Sequence, residues 1–240
     1  MKFHFFNKVL KLYYTSNSHR YINYLKKKGV QIGNNVIIRY PSTTRIDITR
    51  PSLISIGNNV DINMNFQILT HDWCSHVFRN YFHDLINSSG KVSIGNNIYF
   101  GTNVIILKGV SIGDNCIIGA NSVVVKNIPA NSVATGSPCR VVSSLQEYYE
   151  KRKQKSLSEA IEYVKSIQER FSRKPIISEM YEEFIFFVDK NNIHEYPEIP
   201  IKKQIGDGYS DWLQNHKALF SSFDDFIHYA LNIPNNETKD

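Results

Sequence analysis

The reactive side chains of this 240-residue chain crowd into one short stretch, HDWCSHVFRNYFHD, which carries His71, Asp72, Trp73, Cys74, His76 and His83. A neutral imidazole titrates near working pH and can take a proton from an attacking hydroxyl or amine; a positioned base of this kind is worth ~10²- to 10⁴-fold in rate. Cys74 offers a second chemistry, a thiolate nucleophile that would carry a covalent intermediate. His71 and His76 offer a third, since two histidines five apart can ligate one metal. A three-histidine metal site would need a third histidine from an earlier segment, and none occurs between His19 and His71. No metal is therefore expected. Cys74, Cys116 and Cys139 are odd in number and lack CxxC spacing, so they are read as free thiols rather than as a disulfide framework or a zinc knuckle.

What must hold these groups is legible in a six-residue period. From residue 94, Ile94, Phe100, Ile106, Ile112, Ile118, Val124 and Ala130 form one apolar column. Ile98, Val104, Val110, Cys116, Ser122, Ile128 and Ala134 form a second, small or apolar, and both are expected to point inward. Gly95, Gly101, Gly113 and Gly119 follow the first column, where a sharp turn would reject a side chain. A period of six is neither helical nor plain strand alternation. It describes short strands joined by tight corners, three to a coil, with coils stacked at roughly 4.8 Å. The register recurs upstream at Ile32/Val36, Ile56/Val60, Ile62/Phe66 and Ile68, so the coils begin near Val30. Between Ile68 and Ile94 the period breaks. The histidine-bearing stretch, about residues 70–92, is thus a loop thrown out of the coil, and a long insertion in a compact repeat is usually functional.

Three segments follow: a basic N-terminal helical segment over 1–29, a β-helix over 30–142, and an α-helical extension over 143–240. The extension has helical apolar spacing over 145–171, 179–189 and 222–231, with Pro175, Pro197, Pro200, Gly206 and Gly208 as breaks. It carries no catalytic motif and is expected to pack on the β-helix or a partner. The net charge of +6 is uneven: Lys2, Lys8, Lys11, Arg20, Lys26, Lys27 and Lys28 all precede the first acidic residue, Asp47. Such a front end suits either the solvated face of a capping helix or peripheral contact with an anionic membrane surface. No nucleic-acid module adjoins it, and no apolar run is long enough to cross a bilayer, so a cytoplasmic protein without a nucleic-acid partner is expected.

The string IGDNCIIGANSVVVKNIPANSVATGSPCRVV resembles the last coils of the hexapeptide acyltransferases, above all the galactoside, maltose and xenobiotic acetyltransferases, and the likeness extends over roughly residues 30–142. It implies a mainly β fold, a left-handed parallel β-helix with a short N-terminal helical segment and a C-terminal α-helical extension. It also implies O-acetyl transfer from acetyl-CoA to a hydroxyl of a sugar or polysaccharide precursor. The segment IGNNVDINMNFQILTHD is similar to the stretch that delivers the family's catalytic histidine, which assigns that role to His71. The resemblance places Gly101, Thr102, Gly119 and Ala120 at corners along the pantetheine arm and Lys126 and Arg140 at the nucleotide phosphates, where charge-assisted hydrogen bonds are rewarded. Asn65 and Asp72 are candidates for acceptor hydroxyls, and Trp73 for stacking on a sugar ring. Relatives complete the groove with a neighbouring subunit, which implies a homotrimer. Two other outcomes fit the same residues: N-acetylation of an amino-sugar nucleotide, which the same base would serve, and a non-catalytic oligomeric scaffold.

Overall fold

The computed structural model describes residues 12–234. Lys2, Lys8 and Lys11 of the basic front end lie outside the described residues. Two compact units divide the chain, 1–149 and 150–240.

The first unit is a left-handed parallel β-helix. Its strands fall into three sheets that form the sides of a prism. The first stacks β1 (Gln31–Ile32), β4 (Ile54–Ile56), β7 (Val92–Ile94) and β10 (Ser111–Ile112). The second stacks β2 (Ile37–Ile38), β5 (Val60–Ile62), β8 (Ile98–Phe100), β11 (Cys116–Ile118) and β13 (Ser132–Thr135), with β14 (Arg140–Ser144) antiparallel at its edge. The third stacks β3 (Arg45–Ile46), β6 (Gln67–Ile68), β9 (Ile105–Ile106) and β12 (Val123–Val124). Inward Ile, Val and Phe side chains fill the prism, and Phe66 and Phe100, both fully buried, meet at 4.9 Å across successive coils. The helix α1 (Ser18–Lys28) begins at an Asn17 cap and inserts Tyr21 and Leu25 into the same core.

Coil length varies, while the inward register does not. Ile32 lies on Ile56, Ile56 on Ile94 and Ile94 on Ile112, so the middle coil of these three is the longest and the last the shortest. The segment from Ile32 to Ile56, which the repeat divides into four hexads, is therefore one lengthened coil, with the surplus spent in turns around 40–44 and 47–53. The final coil is shorter still: Ile112 bridges to Ile128 and Ile118 pairs with Ala134, ahead of the positions that the spacing of Ile94 and Ile112 would supply. This slip moves Ala130 out of its predicted inward column. It is exposed at a corner, with its backbone against Gly113, and Ile128 takes the inward place.

The corners also differ from expectation. The residues in the left-handed region are asparagines, among them Asn59, Asn65, Asn97, Asn103, Asn115, Asn121 and Asn131, all with φ between 55° and 61°. Asparagine tolerates this region because its short amide bonds locally, and here the amides bond to one another up the stack. Asn97 donates to Asn115 and Asn115 to Asn131, both at 2.9 Å. The glycines serve a different need, close approach of the next coil: a Cβ on Gly101 would lie 2.6 Å from the backbone nitrogen of Ala120.

The second unit has its own core. From α3 (Leu145–Phe171), Ala160, Ile161, Val164 and Ile167 pack with Met180, Phe184, Phe187, Tyr196, Phe226 and Ile227. The expected helix over 179–189 is a pair of 3-10 turns, 177–179 and 183–186, because Phe184, Phe186, Phe187 and Val188 are all buried and leave no solvent face for a regular α-helix. Among the described residues three more α-helices follow, the last of them Phe223–Asn232 capped by Ser222. No helix among the described residues is long and apolar enough to cross a membrane.

The asparagine ladder generates a stability test far from the histidine-bearing loop. Asn115→Ala loses two amide bonds and leaves a Cβ residue in the left-handed region, and should cost about 2 kcal/mol. Asn115→Gly relieves the backbone term and should cost roughly half that in chemical denaturation. Equal losses in the two variants would mean that backbone conformation contributes nothing at this corner.

Candidate active site

His71 stands where the chain leaves the third sheet. Gln67 and Ile68 are still in register with Ile105 and Ile106, and Leu69 N–H still reaches the Ile106 carbonyl at 2.9 Å. The chain then departs. His71 bridges antiparallel to Ser89, Gly90 N–H donates to the Thr70 carbonyl at 2.9 Å, and the inserted loop is tied at this neck. The loop is not structureless, for it contains a short helix, α2 (Ser75–Tyr81).

One coil below, Asp47 follows β3 and faces the histidine. Its Oδ2 accepts His71 Nδ1 at 2.6 Å, Thr70 Oγ1 at 2.6 Å and Thr70 N–H at 3.2 Å. Its Oδ1 accepts Thr49 Oγ1 at 2.6 Å and Thr49 N–H at 3.1 Å. The carboxylate side chain is 8% exposed and the imidazole 33%. Burial alone would raise the Asp47 pKa, but the hydrogen bonds from Thr49, Thr70 and His71 outweigh it and hold the carboxyl well below its usual range. An ionised carboxylate only accepts. The proton of the pair therefore sits on Nδ1, and in the neutral imidazole Nε2 carries the open lone pair. An imidazole so fixed is oriented to remove a proton from a nucleophile.

The other candidates separate into groups. Asp72 accepts from Lys108, from Ser88 Oγ at 3.3 Å and from Cys74 N–H at 3.1 Å, and Lys108 also meets Ser88. Its carboxylate thus clamps the loop neck to the next coil. Trp73 is widely exposed on the loop. Asn65 belongs to the corner ladder: its amide donates to Asn103 at 2.7 Å, and Thr43 Oγ1 accepts its backbone N–H at 3.0 Å. His76 pairs with Arg79 at 3.1 Å, His83 lies in the left-handed region, and Cys74 is half-buried. No three His, Cys, Asp or Glu side chains among the described residues converge as metal ligands.

Gly101 and Thr102 lie directly below Gly119 and Ala120, with Asn121 N–H donating to the Thr102 carbonyl at 2.8 Å. This corner column stands at the opposite edge of the third sheet from His71. In the coil below, Met64 lies under Thr102, and His71 follows it by seven residues on the far side of β6. Lys126 is exposed on the last coil and Arg140 on the antiparallel β14, where its Nη1 donates to the Cys139 carbonyl at 2.8 Å. Asp47 and Lys108 are the residues that sequence reasoning misses. The available signal for Asp47 is positional: it directly follows the inward Ile46, which lies beneath Ile68, three residues before His71.

The model of the family "Bacterial transferase hexapeptide (six repeats)" matches residues 91–126. Protein CapG of Staphylococcus aureus is 42% identical over 125 residues, 52% of this chain and 71% of that protein. The galactoside O-acetyltransferase of Escherichia coli (strain K12) is 35% identical over 126 residues, 50% of this chain and 56% of that protein. Among solved structures, a maltose O-acetyltransferase from Clostridium difficile 630 overlaps 57% of this chain and 83% of its own, at 30% identity and a TM-score of 0.39.

The buried carboxylate makes the site's stability pH-dependent. Asp47 has a depressed pKa in the fold, so its stabilising contribution is complete above the ordinary carboxyl value near 3.9 and is lost as pH falls through the lower folded value. Asp47→Asn should cost about 2 kcal/mol at pH 7. The gap to wild type should hold between pH 7 and pH 5 and narrow below about pH 4, as measured by denaturant unfolding at each pH. A gap that widened on acidification would show that Asp47 is not held as the anion.

Proposed function

The chain belongs to the bacterial hexapeptide-repeat transferases, and on that premise we propose that it moves an acetyl group from acetyl-CoA to a hydroxyl of a saccharide, with His71 as general base. The observation that carries this reading is the 2.6 Å bond from His71 Nδ1 to a carboxylate already saturated by two threonines. In it, Nε2 removes the acceptor hydroxyl's proton as the oxygen attacks the thioester carbonyl. The tetrahedral intermediate expels the thiolate, to which the imidazolium returns the proton. Asp47 keeps the ring in one tautomer and offsets the charge that develops on it. Transfer is direct, so no acyl group rests on Cys74.

In this proposal the thioester arm runs along the corner column of Gly101, Thr102, Gly119 and Ala120, and Lys126 and Arg140 meet the phosphates of the nucleotide end. Holding both substrates in one groove supplies much of the acceleration. The separation of that column from His71 within one chain supports a site built from two copies, the column of one subunit facing the histidine of its neighbour, in a homotrimer. Trp73, exposed beside the base, is available to stack on the acceptor ring.

His71→Asn keeps size and hydrogen-bonding capacity but removes the base. It should lower kcat by ~10²- to 10⁴-fold, leaving acetyl-CoA affinity and thermal stability close to wild type. Cys74→Ser should remain active, and no acetylated protein should accumulate in quenched mass spectra. Retained turnover in His71→Asn would end the proposal. Lys126→Ala combined with Arg140→Ala should raise the acetyl-CoA KM far more than it lowers kcat, because both contacts act equally in ground and transition states. An unchanged KM would remove those two residues from the donor site.

A further inference from the structure

A cavity of about 700 Å³ lies beneath the first coil, between α1 and the strand that leads to Asp47. It is within the size range of small-molecule sites. Tyr14, Tyr21 and Tyr24 form one wall: the rings of Tyr14 and Tyr24 stack at 4.6 Å and those of Tyr21 and Tyr24 at 6.3 Å. Lys27, Lys28 and Arg45 supply three cations, and no carboxylate among the described residues lines the cavity. Among those residues none of the three cations is ion-paired, although Lys28 Nζ stands 5.6 Å over the Tyr24 ring. Tyr21 does not add negative charge: burial pushes its phenol up to about 12, and its hydroxyl donates to the Thr44 carbonyl at 3.2 Å.

Why the fold builds such a cavity is clear from its parts. Three lysines in the last turn of α1 complement the helix dipole, so they cluster where the helix ends against the prism. Arg45 projects outward from β3 because its neighbour Ile46 must point inward. The cavity therefore opens beside the turn that follows β3: Arg45, Ile46 and Ile48 line it, and Asp47 stands between Ile46 and Ile48 in the sequence. An uncharged sugar alone would leave three cations without partners. An aromatic wall beside three basic side chains fits a ring bearing a phosphate ester, the ring against the tyrosines and the phosphate with the basic groups.

We propose that this cavity binds a glycosyl phosphate, with Tyr14, Tyr21 and Tyr24 holding the sugar and Lys27, Lys28 and Arg45 the phosphate. Binding of this ligand does not depend on the acetyl-transfer reading, in which the acceptor ring stands at Trp73 beside His71. Calorimetric titration of the full chain tests it with glucose 1-phosphate, glucose and inorganic phosphate as probes. Glucose 1-phosphate should bind at least tenfold more tightly than glucose. The exposed triple variant Lys27→Ala/Lys28→Ala/Arg45→Ala should weaken glucose 1-phosphate at least tenfold while leaving acetyl-CoA affinity and melting temperature unchanged. Tyr24→Leu should weaken glucose 1-phosphate but not inorganic phosphate. Equal binding of the sugar with and without phosphate, or an unaffected triple variant, would overturn the proposal. So would a parallel loss of acetyl-CoA affinity, or sedimentation with anionic phospholipid vesicles that glucose 1-phosphate fails to compete. Because these titrations need no turnover, a failed acetyl-transfer reading, seen as an active His71→Asn, is distinguishable from a failed phosphate site.

Discussion

Each coil of the prism must close on the one beneath it with its inward side chains in register. Everything else in the β-helical unit is arranged around that requirement. Parallel strands of two to four residues make too few hydrogen bonds to persist alone, so their stability comes from stacking apolar columns such as Ile38, Ile62, Phe100 and Ile118. The same requirement dictates where the chain is free to vary. Extra residues can be expelled only at corners, and the coil between Ile56 and Ile94 expels its surplus at the edge of the third sheet while both residues still pair and Ile68 still meets Ile106. A rigid stack that confines its departures to corners, the longest of them at the third sheet, is a means of presenting a few polar groups at a fixed place.

At that departure, stacking sets Asp47 one coil below His71, and the chemistry follows from how fully the carboxylate is occupied. Five donors from Thr49, Thr70 and His71 converge on its two oxygens. Such a group is costly to protonate and cannot donate, so it decides which imidazole nitrogen carries hydrogen. Lys108 from the next coil and Asp72 at the loop neck clamp the backbone on the other side of the histidine. The imidazole is thus braced from the coils below and above, while its own ring stays partly open to solvent.

The columns of inward residues are legible in the sequence because burial leaves an apolar mark every six positions. The mark is lost where coils change length: Ala130 keeps the count of six although the last coil is shortened, and the stretch from Ile32 to Ile56 reads as four hexads although it makes one coil. Spacing assigns the corners to glycine, whereas asparagine holds the left-handed corners and glycine admits the neighbouring coil. His71 stands out by position. Asp47 does not, because its function arises from stacking between coils of unequal length, which a linear spacing does not encode. In the second unit, 179–189 shows helical apolar spacing, yet burial on more than one side breaks it into 3-10 turns.

The central claim is that the stack fixes one imidazole with Nδ1 protonated and Nε2 free, ready to act as a base. Heteronuclear NMR of protein labelled with 15N-histidine, followed to a pH at which the imidazole is neutral, reads the tautomer of His71 directly. The account predicts a single Nδ1–H form whose signal is lost or averaged in Asp47→Ala. A protonated Nε2 in the wild-type protein, or an averaged tautomer insensitive to Asp47, would contradict it.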